Sequence, residues 1–369
     1  MPFSDFHGNP EPVRRLRDML ARNRFPQAMI LTGATGSGKY TLALMLAKTM
    51  NCLSPAITDG LPDFCGVCSN CTRISGSDDL DARIAEATEA RETLRESDKK
   101  ETRLFVQTHP DVLVIPPDPP QLVIKVDQVR KVIEGIYYRP ADAKEKVFIF
   151  SDAAFMKEAA NSLLKVLEEP PDFATIFLLA ENAGELLPTI RSRSMIVSLA
   201  ALTAEQVEDY LQKARPDWNP SQRALVARLC EGAIGRARTF DLAAYSAARK
   251  DALAVLASAL RAGEHSELFR ITETYRAGAE GREKMERLLR SLYSILQDLA
   301  FINAGTMDLV RNRDIQSELA QLAKFADFAW ISAAADRLAE MERGMRRNLL
   351  RSLSIDSFAA ALELEKTGS

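Results

Sequence analysis

Two groups of residues have the types and spacing that chemistry needs. The first is Gly33-Ala34-Thr35-Gly36-Ser37-Gly38-Lys39. Glycines at these intervals let backbone N–H groups approach a phosphate. The lysine adds a cation, and a helix starting there adds the positive end of its dipole. The second group is Cys52, Cys65, Cys68 and Cys71. Four thiolates suit tetrahedral zinc, and the two-residue gaps let neighbouring cysteines wrap one ion. An iron–sulfur run would want a further cysteine about three residues on, where position 75 is serine. Nothing nearby supplies an open coordination position or a base, so the expected zinc is structural. Metal binding then contributes folding energy, on the order of 10 kcal/mol in isolated fingers. A zinc finger that reads DNA is the competing reading, and the lobe has no basic recognition helix.

The phosphate loop departs from its usual chemistry at the next position. A serine or threonine hydroxyl normally follows the lysine and ligates Mg²⁺. Here the residue is Tyr40, whose oxygen would project several ångströms too far. Thr41 comes one residue late, about 100° further round a helix. The apolar run at 147–150 should end in two acids, one for Mg²⁺ and one to activate water. The chain reads Ser151-Asp152, so in either register one carboxylate is missing. Gly33, Gly36, Gly38, Lys39 and Thr41 therefore form a degenerate candidate phosphate site. It offers little support for ATP and Mg²⁺ binding, and no ATPase activity is expected of the chain alone. His109 has no accompanying nucleophile or acid pair and reads as a turn residue before a strand.

Strands must place these residues. Apolar runs at 28–32, 112–115, 147–150, 175–180 and 195–199 alternate with helical spacing at 12–23, 39–50, 126–138 and 155–167. That alternation implies an α/β domain with a parallel sheet covered on both faces. After residue 200 the pattern turns helical. Thr203 and Gln206 fit a capping box, with Leu202 and Val207 as its hydrophobic staple. Gly232 and Gly235 read as breaks in a small helical unit, and the pattern is helical throughout from about 246 to 365. The stripe Met285, Leu288, Leu289, Leu292, Ile295, Leu296 and Leu299 reads as core. Residues 76–103 are charge-dense and nearly free of large apolar groups, as an exposed, partly helical insertion would be.

Composition sets the limits. The chain has 369 residues, too many for one core, with 46% hydrophobic and 27% charged residues and a net charge of −3. That balance argues against a solitary DNA binder. Arg14, Arg15, Arg17, Arg22 and Arg24 make the first helix locally basic, most simply as a solvated face. No apolar run approaches the roughly 18 residues of a membrane span. The first residues have early acids and no apolar core of a signal peptide, so a cytoplasmic protein is expected.

Together these features resemble the clamp-loader family of AAA+ proteins, and within it the bacterial delta-prime-like branch. The resemblance runs over nearly the whole chain and is most specific from residue 1 to 240. It rests on the glycine-rich loop, the inserted cysteine module and His109-Pro110-Asp111. It rests further on Asn161-Ser162-Leu163-Leu164-Lys165-Val166-Leu167-Glu168-Glu169-Pro170-Pro171 and on Thr189-Ile190-Arg191-Ser192-Arg193-Ser194. It implies an AAA+ P-loop domain at 1–200 with its zinc module (52–71) and charged insertion (76–103). A small helical lid at 201–245 and an all-α collar for oligomerisation at 246–369 would follow.

The resemblance also implies partners: delta and gamma/tau subunits in a hetero-pentameric ring, with the sliding clamp and primer–template DNA reached through that complex. Arg193 takes the place of the family's arginine finger, although serine 194 replaces the cysteine of the Ser-Arg-Cys motif. Arg191 is its rival, and in a strand the two would share a face. The family's lid arginine usually sits in a Gly-Ser-x-Arg string. Here Gly232-Ala233-Ile234-Gly235-Arg236 has glycine at that place. Tyr40, Ser151 and Gly235 favour a subunit that does not hydrolyse ATP. The alternative is an active motor ATPase of the gamma/tau kind.

Overall fold

A computed structural model of the chain describes residues 2–119, 121–261, 266–275, 278–345 and 351–367. The chain divides into two compact units, Met1–Tyr210 with Cys230–Arg238, and Leu211–Leu229 with Thr239–Ser369. The strands in chain order are β1 (Ala28–Thr32), β2 (Ala56–Thr58), β3 (Leu61–Asp63), β4 (Val106–His109), β5 (Val112–Ile115), β6 (Lys146–Phe150), β7 (Ala174–Ala180) and β8 (Met195–Ser198). The helices of the first unit are α1 (Pro10–Ala21), α2 (Lys39–Asn51), α3 (Ser69–Ser75), α4 (Leu80–Glu92), α5 (Glu96–Glu101), α6 (Val126–Ile136), α7 (Lys157–Glu168) and α8 (Pro188–Arg191). They are followed by α9 (Ala204–Ala214), α10 (Pro220–Leu229) and α11 (Ile234–Arg238).

A six-stranded sheet in the order β4-β5-β6-β7-β1-β8 forms the first unit's centre. β1 pairs in parallel with both β7 and β8, so the loop after it opens at the sheet's carboxyl edge, one strand in from β8. In α/β sheets that edge is where ligands bind. β1, β5 and β7 are buried along their whole length, as near-continuous apolar strands under two helical layers should be. α2 is buried from Leu42 to Asn51 on one face of the sheet. α6 and α7 bury one stripe each on the other. α7 stops at Glu168, ahead of Pro170 and Pro171, which cannot continue a helix.

The sheet is not wholly parallel. β4, a strand that the apolar runs do not reveal, pairs antiparallel with β5 at the edge. Its sequence, Val-Gln-Thr-His, alternates rather than running apolar, because an edge strand keeps one side in water. The chain reverses at His109-Pro110-Asp111. Asp111 then accepts backbone N–H groups from Ala141, Asp142 and Ala143 at 2.8, 2.8 and 2.9 Å, tying the loop before β6 to the turn.

The insertion folds as α4 and α5, and α4 buries none of its side chains. It is moored by Arg91, which reaches the buried Asp118 carboxylate at 2.9 Å. The Thr203–Gln206 capping box forms with both bonds, at 3.0 and 3.2 Å.

The second unit is helical, with α12 (Leu242–Arg261), α13 (Ser266–Glu273), α14 (Gly278–Asn303), α15 (Gln316–Ala323), α16 (Phe328–Met345) and α17 (Arg351–Thr367). Every member of the Met285-to-Leu299 stripe on α14 is in its core. The expectation of continuous helix from 246 to 365 falls partly on 262–265, 276–277 and 346–350, which lie outside the described residues. Among the described residues no helix is long and apolar enough to cross a membrane.

Candidate nucleotide and metal sites

The four cysteines converge. The sulfurs of Cys52, Cys65, Cys68 and Cys71 all lie within 4.8 Å of one another. Sulfurs bound to one zinc at about 2.3 Å would stand roughly 3.8 Å apart, and Cys52 and Cys68 are at 4.0 Å. The sequence folds this way because Cys52 ends α2, Cys71 lies in α3, and Cys65 and Cys68 sit on the turn between the β2–β3 hairpin and α3. Backbone amides support thiolates here: the Cys65 N–H points at Cys52 Sγ and the Cys68 N–H at Cys65 Sγ, both at 3.3 Å. N–H donors from Val67 and Cys68 lower the Cys65 thiol. Burial pushes Cys68 up, but N–H donors from Cys71 and Leu53 outweigh it and bring the thiol to about 6. Burial raises Cys52 and Cys71. Four convergent thiols with amide support fit a closed, structural metal site and offer no catalytic position.

The hairpin of this lobe turns at Asp59-Gly60, whose φ values of 53° and 75° are the left-handed pair of a type I′ turn. Arg17 holds it. This arginine is buried on α1, not solvated, and donates to the carbonyls of Thr58, Leu61 and Pro62 at 2.7, 3.0 and 3.0 Å. The basic face expected on the first helix therefore loses one member, because an arginine fork satisfies three turn carbonyls at once. Arg14, Arg15, Arg22 and Arg24 are exposed.

Gly33–Lys39 leaves β1 and opens α2, as a phosphate loop should. Gly33, Gly36 and Gly38 all have positive φ, at 147°, 83° and 93°. Lys39 Nζ turns back to the carbonyls of Gly33 and Ala34, the latter at 3.0 Å. Burial lowers its pKa, and the negative charges of Glu181, Glu185 and Asp152 oppose that shift. Tyr40 points away from the loop. Its hydroxyl donates to the Ser77 carbonyl at 2.7 Å, and its ring packs against the core that includes the cysteine lobe. Burial raises its pKa. Thr41 stands on the exposed side of α2. At the end of β6, Asp152 is spent on a turn, accepting the Ala154 N–H at 2.9 Å, and Ser151 offers no carboxylate.

Helix α11 meets the loop directly. Gly235 is not a break; it lies inside α11 and donates its N–H to the Gly36 carbonyl at 2.8 Å. A Cβ at Gly235 would stand 2.9 Å from the Gly36 Cα and carbonyl oxygen. Position 235 is thus glycine because two backbones touch there, and an arginine has no room in this arrangement. Gly232 does end the preceding segment, with φ 79° and no space for a Cβ beside Leu202.

Arg193 lies in the turn after α8, and Arg191 ends α8, so neither belongs to a strand. Pro188 starts this short helix, so the shared strand face that would have made Arg191 a rival does not form. Arg193 Nη2 reaches Glu168 at 2.8 Å and Nη1 the Thr189 carbonyl at 3.0 Å. His109 Nδ1 accepts the Asp111 N–H at 3.1 Å within its turn, and burial lowers its pKa. Sequence reasoning missed Arg17, Glu168 and the closeness of Gly235 to Gly36. Only Glu168 left a signal, as an acid in the last turn of a helix, where the dipole disfavours it.

Residues 8–203 match the model of the family described as DNA polymerase III, delta subunit. Among curated proteins the chain is 30% identical over 238 residues to DNA polymerase III subunit tau of Escherichia coli K12, covering 63% of this chain and 31% of that one. It is 29% identical over 221 residues to DNA polymerase III subunit delta' of Bacillus subtilis, covering 60% and 55%. It is 28% identical over 197 residues to subunit delta' of Pseudomonas aeruginosa, covering 53% and 50%. The chain thus spans about a third of the matched tau protein and about half of the delta' proteins.

Proposed function

The chain belongs to the DNA polymerase III delta-subunit family of the clamp loaders, and from that premise we propose that it works as a delta-prime-like subunit. In this reading it assembles with delta and gamma/tau subunits into a hetero-pentameric ring through its helical collar, 246–369. The ring loads the sliding clamp on primed DNA, and ATP is hydrolysed in the motor subunits rather than here. The observation that carries the reading is the state of the phosphate loop. Tyr40 commits its hydroxyl to Ser77, Asp152 is held in a turn, and Gly235 of the lid rests on Gly36. Tyr40, at the place of the magnesium hydroxyl, turns its oxygen to Ser77 instead, and in this reading the loop serves as a structural joint.

Arg193 is the remaining chemical group. It would cross to a neighbouring subunit and neutralise charge that develops on the transferred phosphoryl group, a contribution of about 10³–10⁵ in rate in other systems. Cys52, Cys65, Cys68 and Cys71 would hold zinc, which supplies rigidity to the lobe between α2 and α3 and no catalytic chemistry. The similar identity to tau, 30%, favours a motor ATPase as the second reading. The two separate in a reconstituted loader. Arg193→Ala should lower DNA-stimulated ATPase by at least tenfold, given the scale of such fingers. An unchanged rate would remove the trans role.

A further inference from the structure

The two most specific strings of the chain end on each other. Glu168 is the last residue of α7, within the NSLLKVLEEPP string, and Arg193 follows α8. Their charges meet at 2.8 Å, and the Thr189 carbonyl holds the other arm of the guanidinium at 3.0 Å. Both side chains stay partly in water, with 35% of Arg193 and 53% of Glu168 exposed. Helix chemistry does not account for the acid. The C-terminus of a helix is its negative end, and Glu168 and Glu169 both stand there against the dipole. What compensates Glu168 is the arginine opposite.

A guanidinium fork fits a carboxylate and a phosphate in the same way, so one partner must leave before the other is taken. We propose that Glu168 is a positioning residue that parks Arg193 and aims it, releasing it to a phosphate presented by a neighbouring subunit. This rests on the reading of Arg193 as a trans finger. Glu168 itself touches no nucleotide. The step is an exchange of ion pairs in which no bond forms or breaks. The Thr189 carbonyl keeps Nη1 of the guanidinium in place while Nη2 changes partner. Partial exposure keeps the exchange small in energy, since pairs in water are weak.

The test is steady-state ATPase of a reconstituted loader containing the full chain, with and without primer–template DNA. Glu168→Gln keeps the shape and removes the charge. It should raise the DNA-independent kcat about two- to fivefold, the scale of an exposed ion pair. KM for ATP should not change, and Glu168→Asp should restore the low rate. The rise should vanish when Glu168→Gln is combined with Arg193→Ala. A wild-type rate for Glu168→Gln, or a rise that persists without Arg193, overturns the parking role and leaves the finger standing. A wild-type rate for Arg193→Ala overturns both.

Discussion

Single residues here do structural chemistry at positions whose types also suit function. Asp111 accepts three backbone N–H groups, and these hold its carboxyl below the usual range against the burial that would raise it. The sign of the pH effect follows. A depressed folded pKa contributes stability above the unfolded value of about 3.9, and that contribution is lost as pH falls through the folded value. Amide exchange at Ala141, Asp142 and Ala143 should therefore lose protection on acidification below about pH 4. Asp111→Ala should remove it at neutral pH, at roughly 2 kcal/mol. Protection unchanged in the variant would show that the carboxylate does not hold the loop. The cysteines behave alike as a set. Metal analysis of the purified chain should find about one equivalent of zinc, falling on Cys65→Ser together with thermal stability. A metal-free wild-type chain that is fully folded would refute the site.

At the scale of elements, α11 and the glycine-rich loop meet as one joint. Gly235→Ala should force α11 off the phosphate loop, because its Cβ would meet the Gly36 backbone at 2.9 Å. We expect a loss of about 1–3 kcal/mol, the usual range for overpacking, seen as a lower Tm and faster exchange of the Gly235 amide. An alanine tolerated at full protection would mean that the contact is not close. This joint was half legible. Glycine at the lid's arginine position was plain in the sequence, but its reason was not, since residues 36 and 235 meet only in the fold. The parallel strands were legible because each is an apolar run bounded by turn residues. β4 was not, because an edge strand alternates and is short. Tyr40 was legible as an absent magnesium ligand, while its hydrogen bond to Ser77 needed the cysteine lobe in place. Arg17 was misread as solvated for the same kind of reason: its three carbonyl partners lie more than forty residues away and helical spacing says nothing of them.

For the whole molecule, the net charge of −3 and the match to the DNA polymerase III delta-subunit family are compatible with the proposed role inside a larger assembly. The first unit is built on a mostly parallel six-stranded sheet whose glycine-rich loop follows β1, and in the proposed reading Tyr40, Ser151 and Gly235 stand where a working ATPase has a hydroxyl, a carboxylate and an arginine. The second unit is a helical body whose stripe on α14 is spent on its own core. The most direct test is ATP hydrolysis by the purified chain alone, with Mg²⁺ and primed DNA present. No turnover above background is expected, in wild type or in Lys39→Ala. Turnover of about 1 s⁻¹ or more, in the range of working enzymes, abolished by Lys39→Ala, would contradict it.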